Sequence, residues 1–342
     1  MSEFTARQQL LNNRVGYGAS AYGGRDGTLV EVTNLNDSGA GSLRSFLEST
    51  NPYWIKFSVS GTITLSTSIF VRSNKTIDGR GADITIDSKG LYCGIWVGNG
   101  QACDNVIVEN IKFASTINDT HVLTCCRQAT NIWVDHVTWE VMAADVEPFY
   151  TGSGASGHTD SPDSITLSWC RWNDTDVGHG AWLCSDASTP QDNDACRVTA
   201  HHNWWKNCAV RHPLQEAGTI HSYNNLQDRG EIAAQITGGA SFLSENDIYV
   251  PPYPASYPRV KNEVIEAGNA FTIKVVDPWL QGDATYEEFN TAGIFTPPYS
   301  YSLATADSTL QTQIQNGAGW LNTGPIVDTA PPPPSGLSLR WV

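Results

Sequence analysis

From residue 105 onward, short runs of alternating apolar and polar side chains recur along the chain. They cover 105–113, 131–139, 164–172, 197–205, 219–226 and 240–248. Strict alternation is the period of a strand, whose successive side chains point to opposite faces. Their apolar positions Ile107, Ile132, Ile165, Val198, Ile220 and Phe242 follow one another at intervals of 22 to 33 residues. A coil of about 22 residues, lengthened in places by inserted loops, accounts for that series. Strands stacked about 4.8 Å apart along one axis make this a parallel β-helix, in the all-β class. A β-sandwich fits less well, because its turns recur every 8–12 residues or so. Each run ends on a polar residue (Asn110, His136, His202, Asn224, Asn246), and a ladder of side-chain hydrogen bonds is expected there.

The remaining segments fit the same plan. Residues 4–12 predict a short amino-terminal helix capping the solenoid, and the insertions near 140–163 and 174–196 fall in neighbouring coils. Long loops clustered on one side form a groove, so binding is expected there. Pro-rich stretches at 250–254 and 296–301 read as irregular structure laid across the solenoid. The division is a β-helix domain over 1–323 and a Pro-rich tail over 324–342.

Composition narrows the partners. A net charge of −15 argues against nucleic acid, which needs clustered Lys and Arg. The same charge demands a local cation wherever an acidic polymer binds. Twelve tryptophans, among them Trp133, Trp139, Trp169, Trp172, Trp204 and Trp205, suit either sugar stacking or core filling, and core filling is the commoner use. Eight cysteines without paired CxxC spacing fit disulfides or buried thiols, with Cys93–Cys103 and Cys184–Cys196 as candidate loop staples. No run is apolar enough for a membrane span, and residues 1–7 lack the pattern of a signal peptide. An extracellular protein, secreted or virion-associated, is the expectation.

Several motifs appear together in order: Gly16–Arg25, Asp37–Arg44, Phe57–Ile63, Lys75–Ala82, Asn131–His136, Thr199–Asn203, Arg211–Asn225 and Pro297–Tyr301. Over roughly 13–320 the chain resembles the pectate lyase family, polysaccharide lyases built on a right-handed, single-stranded parallel β-helix with long groove-forming loops. The resemblance implies a calcium-assisted β-elimination on polygalacturonate or a related polyuronate, with Arg211 as the base. It also marks departures. The family pattern Arg-x-Pro-Arg-x-Arg survives here as Arg211 and Pro213, with Leu214 and Glu216 at the other two arginine positions. A substrate-binding lysine is replaced in the segment 173–179, where His179 is the nearest cation-capable residue. Substrate contacts are therefore expected from His179, His212 and Glu216. The implied calcium ligands are Asp160, Asp119, Asp145 and Glu147, since Ca²⁺ takes oxygen donors. His136, His201 and His202 lie at strand spacing and read as packing residues rather than a zinc site.

The chemistry so implied is demanding. Removing the C5 proton of a 4-linked uronate leaves a dianionic, enolate-like intermediate that needs nearby positive charge. Arginine side chains are neutral to only about 1 part in 3,000 at pH 9, a penalty of roughly 5 kcal/mol. Alkaline pH is therefore expected to favour such an enzyme. With the lost arginines and lysine, a non-catalytic carbohydrate-binding solenoid is a competing expectation. A virion-associated tail protein that recognises or degrades a capsule is another. A glycoside hydrolase is disfavoured, because no pair of carboxylates stands out.

Overall fold

The computed structural model describes residues 3–99, 101–115, 121–142, 146–152, 161–173, 180–185, 196–208, 210–229, 232–237, 239–251, 260–262 and 272–322. Strands connect into three parallel sheets of ten, nine and eight strands, each strand pairing with its counterpart one coil away. The result is a right-handed parallel β-helix. The expected candidates Asp119, Asp145, Asp160 and His179, and the tail after 323, lie outside the described residues.

The inward row of the ten-stranded sheet runs Val106, Ile132, Ile165, Val198, Ile220, Phe242 and Ile273, all buried. The sequence reading placed Ile107 in this row. It belongs one residue earlier, at Val106, and Ile107 points outward under the amino-terminal helix. A one-residue shift flips a strand side chain to the other face, and two adjacent β-branched residues left the phase ambiguous. In the nine-stranded sheet the inward row is aromatic. Phe113, Trp139, Trp172 and Trp205 stack face to face, with centroids 6.2, 4.3 and 4.8 Å apart in turn. Core filling is thus the role of Trp139, Trp172 and Trp205.

Six successive turns between these two sheets pass through a left-handed residue, with φ of 55° at Asn110, 51° at His136, 51° at Trp169, 56° at His202, 52° at Asn224 and 51° at Asn246. Asn adopts that conformation more readily than most residues, which explains the polar run ends. The main ladder of side-chain bonds sits one residue further on. Asn203 Oδ1 accepts from Cys170 N (2.8 Å), Asn225 Oδ1 from Asn203 N (2.8 Å), and Asp247 Oδ1 from Asn225 N (2.7 Å). The expected ladder is real but displaced, because the left-handed residue turns its side chain outward. His136, Trp169 and His202 use that position to stack on one another.

Two of the three outer faces are covered. Helix α1 (Glu3–Asn12) lays Leu10 and Leu11 on Trp54, Ile107 and Trp133 of the ten-stranded sheet. Further along that face, Tyr299 Oη meets Thr199 Oγ1 and His221 Nδ1, each at 2.7 Å. Tyr301 Oη donates to Glu245 Oε2 at 2.6 Å. Helix α2 (Leu43–Leu47) buries both its leucines and closes the edge of the eight-stranded sheet, where Arg72 N donates to Leu47 O at 2.9 Å. Helix α3 (Ser308–Gly317) packs Leu310 and Ile314 on Leu226 and Ile248 of the nine-stranded sheet. The outer face of the eight-stranded sheet keeps exposed rings, Phe70 at 44% and Tyr92 at 68%. The sequence insertions straddle strands Glu147–Gly152 and Ala181–Ser185 of this sheet. A groove floor follows from both observations.

One of the two candidate staples forms: Cys184 and Cys196 are bonded, with their Cα atoms 5.6 Å apart. The Cys93–Cys103 expectation fails. Both are buried free thiols, each opening its own strand in a different sheet, and they hydrogen-bond to Thr124 and to Val71 O respectively. Among the described residues no helix is long and apolar enough to cross a membrane.

Candidate active site

Arg211 sits in a tight turn just ahead of the short strand Leu214–Gln215, with a left-handed φ of 60°. The turn is pinned from three sides. Ala181 N donates to Arg211 O (2.7 Å), Gly180 N to Val210 O (3.1 Å), and His212 N to Ala233 O (2.7 Å). Gly180 is required beneath it, since a Cβ there would lie 2.8 Å from both Arg211 O and His212 Cβ. A His212–Pro213 cis peptide completes the turn. The guanidinium projects over the eight-stranded sheet.

There Arg211 Nη1 donates to Glu147 Oε1. Glu147 begins the strand Glu147–Gly152 and is 5% exposed, so its charge is largely withdrawn from water and is held by this partner. Its other oxygen lies 3.2 Å from His121 Nδ1, close enough for charge attraction but not aligned as a hydrogen bond. His121 and Glu147 are register partners on adjacent strands. The His121 ring in turn lies 4.7 Å from Tyr150 and 5.4 Å from Tyr92. A basic, acidic and aromatic cluster thus forms on the groove floor, with Arg211 partly exposed above it.

Of the expected site residues, the structure brings Arg211 and Glu147 together. Glu216 follows the same short strand and is half-buried, while Leu214 is buried where relatives are expected to carry an arginine. His212 requires a correction as a substrate contact. It is fully buried, and its Nδ1 lies 2.5 Å from Gln227 Oε1, whose amide returns a bond to His212 O. Residue alternation explains this: with Arg211 outward, the next side chain turns in. The sequence reading did not single out Tyr92, Trp96, Tyr150 or Arg127, which line a hollow of about 70 Å³ together with His121. A detectable signal was present in the alternation of Gly94, Trp96 and Gly98, which presents one ring outward between two glycines.

Calcium fits the described residues poorly. Glu147 is one carboxylate, already paired, whereas calcium takes about six to eight oxygens. Among the described residues, the grouping compact enough to share a metal ion is Glu109, Asp135 and His136, which does not include Glu147. That group is tied into structure: Asp135 accepts from Ser168 Oγ at 2.5 Å and lies 2.8 Å from His136 Nδ1. Burial, then the neighbouring Asp135, pushes the Glu109 carboxyl well above the ordinary range. The other histidines also pack. His201 stacks on Tyr223 at 4.9 Å, and burial holds its pKa well below the ordinary imidazole value.

The pectate lyase family model matches residues 58–322. Among curated proteins, pectate lyase 1 of Cryptomeria japonica is 28% identical over 273 residues, covering 72% of this chain and 68% of that one. Pectate lyase E of Dickeya chrysanthemi is 26% identical over 355 residues, covering 89% and 88%. Among solved structures, the major allergen from cedar pollen superposes with a TM-score of 0.76 at 21% identity, covering 94% of this chain and 96% of that one. A Bacillus pectate lyase solved in complex with trigalacturonate gives 0.58 at 21% identity, covering 90% and 98%. With the family model spanning well over half of its length, the chain belongs to the pectate lyase family and is a polysaccharide lyase.

Proposed function

We propose that this enzyme cleaves polygalacturonate or a closely related polyuronate by β-elimination, with Arg211 as the base. The observation that carries the reading is Arg211 itself, held outward over a sheet that no described element covers, by a turn built on Gly180 and anchored to Glu147. In the reaction Arg211, having first given up its own proton to solvent and with it the ion pair to Glu147, takes the proton from C5. The electron pair forms the C4–C5 double bond, the C4–O bond breaks, and the departing oxygen takes a proton from water. Arg211 then returns its proton to solvent. Hydrogen-bonding the guanidinium to a rigid strand fixes its approach, and positioning of this kind supplies much of a catalytic advantage.

Calcium belongs to this proposal through the family alone, because Glu147 is already taken by Arg211. An ion bound elsewhere in the groove would supply positive charge beside the substrate carboxylate. What the described residues themselves contribute is the base and its anchor. An extracellular setting belongs here too, supported by the Cys184–Cys196 bond, since disulfides persist in oxidising compartments.

The test is the ultraviolet absorbance of the unsaturated product, followed on polygalacturonate at alkaline pH with added calcium or with chelator. Rising absorbance that disappears in Arg211→Ala supports the reading. Reducing ends without absorbance would mean hydrolysis, and no product on any uronate would end the proposal.

A further inference from the structure

The groove extends beyond Arg211 toward the amino-terminal coils, and its character changes as it does. Near Arg211, the positions expected to grip substrate carboxylates hold Leu214 and Glu216. Toward the amino terminus the floor carries Tyr92, which is 68% exposed, and Trp96, with the two rings 6.2 Å apart and tilted by 31°. A ring this exposed and yet held by neighbours is a ready stacking surface. Tyr92 packs edge-on against His121, which is itself beside Glu147, so the shelf is continuous with the candidate active site. Arg127 lines the same hollow. Through Asn99 it adjoins a larger hollow of about 450 Å³ lined by Phe70 and Arg72. Arg72 Nε is buried without a hydrogen-bond partner. Two arginines thus flank exposed aromatic rings on a protein of net charge −15.

We propose that this shelf is a distal subsite for the acidic polysaccharide: a sugar ring stacks on Tyr92 and Trp96, and Arg127 receives its carboxylate. The proposal rests on the polyuronate reading above and gives the groove a direction, with the polymer running from Arg211 toward the amino-terminal coils. It also explains how substrate is held despite the loss of cations beside the base. Strands Cys93–Gly98 and Glu147–Gly152 are separated by one strand. The shelf therefore stands about 10 Å along the axis from the Glu147 anchor, and only a chain extending beyond the cleavage point reaches it.

The test measures affinity for galacturonate oligomers of two to six units, free and methyl-esterified, using full-length protein carrying Arg211→Gln to prevent turnover. Tyr92→Ala and Arg127→Ala should each weaken hexamer binding by roughly tenfold and leave the dimer unchanged, while Tyr92→Phe keeps full affinity. Methyl esterification should cancel the Arg127 effect and preserve the Tyr92 effect. Hexamer affinity within about twofold of the parent in both alanine variants, while the otherwise wild-type enzyme still cleaves polygalacturonate, would overturn the subsite and leave the lyase reading standing. Failure of the parent to bind any oligomer, with no cleavage by the wild type, would overturn both.

Discussion

The outer faces of the ten-stranded and eight-stranded sheets are both rich in rings and titratable groups, yet they are finished in opposite ways. On the ten-stranded face, His201, His221, Tyr223, Tyr299 and Tyr301 pack ring against ring, Tyr299 and Tyr301 hydrogen-bond to His221 and Glu245, and the carboxy-terminal segment seals them. On the eight-stranded face, Tyr92 and Phe70 remain open and Arg211 projects over the same face further along the axis. Histidine content would point to the first face as the site. The coverage of each face points to the second: a polar group that already has its partners stabilises the fold, and chemistry needs one that a substrate can still reach.

Replacing Arg211 should break this contrast most severely. Arg211→Gln keeps an amide donor for Glu147 but no base, so turnover of polygalacturonate should fall by at least about 1,000-fold. Circular dichroism should stay near wild type, while the unfolding temperature should drop because the buried Glu147 carboxylate keeps a donor but loses its countercharge. A variant with near-normal turnover would move the catalytic base elsewhere.

On the interior side, Trp172 sits between Trp139 and Trp205 with centroids 4.3 and 4.8 Å away. Trp172→Ala should cost about 3–5 kcal/mol of stability in denaturant unfolding. Any loss of activity should then follow the folded fraction, as expected of a ring no substrate touches. An unchanged unfolding midpoint would show that the stack is not the support it resembles.

Legibility from sequence followed the same division. The solenoid was readable because burial on an inward row imposes strict alternation, and the recurrence of Ile132, Ile165, Val198, Ile220 and Phe242 reports that row directly. Phase was harder wherever both neighbours are apolar, as at Val106 and Ile107. Arg211 was readable because the turn around it carries Pro213 and leads into a recognisable strand. Its partner was not, because Glu147 lies 64 residues away and only the stacking of coils brings it near. Tyr92 and Trp96 were missed for a related reason: in sequence an outward ring looks like an inward one until the coverage of each face is known.

Acid should act on the covered face before the open one. Burial depresses the His202 pKa to about 4 and holds that of His201 well below the ordinary value. A folded-state pKa below the unfolded value of about 6.5 means the unfolded chain binds the proton first. The stability these groups contribute is therefore complete above about pH 6.5 and is lost as pH falls toward their folded values, by about 3 kcal/mol for His202 alone. Asp247 opposes this. Burial raises its pKa to about 6, so its contribution is largest in acid and is lost as pH rises through 6. His221 is lowered as well and Glu109 is raised like Asp247, so three histidines stand against two carboxyls and the net slope should run toward instability in acid. His202→Phe keeps a ring against Trp169, which lies 4.6 Å from the imidazole, and removes the proton. The fall in unfolding temperature between pH 7 and 5 should be visibly shallower in this variant, and an unchanged slope would assign acid sensitivity to other groups.

The finest test of the contrast removes a single oxygen. Tyr299 Oη bridges Thr199 Oγ1 and His221 Nδ1, and the opposite nitrogen of His221 lies 2.8 Å from Glu245 Oε2. Tyr299→Phe keeps the ring, which packs edge-on against Tyr17 at 5.1 Å, and leaves Thr199 and His221 each one partner short. A buried group that loses its partner costs about 1–3 kcal/mol. Thr199 Oγ1 still accepts from Tyr17 N at 3.0 Å, so it is not left without a partner and the cost should fall at the lower end. Unfolding should register that loss, while the kinetic constants on polygalacturonate stay put, because nothing in this network reaches the groove. A change in kcat/KM with stability intact would mean that the covered face communicates with Arg211 through the sheets, and the division between a structural and a catalytic face would have to be redrawn.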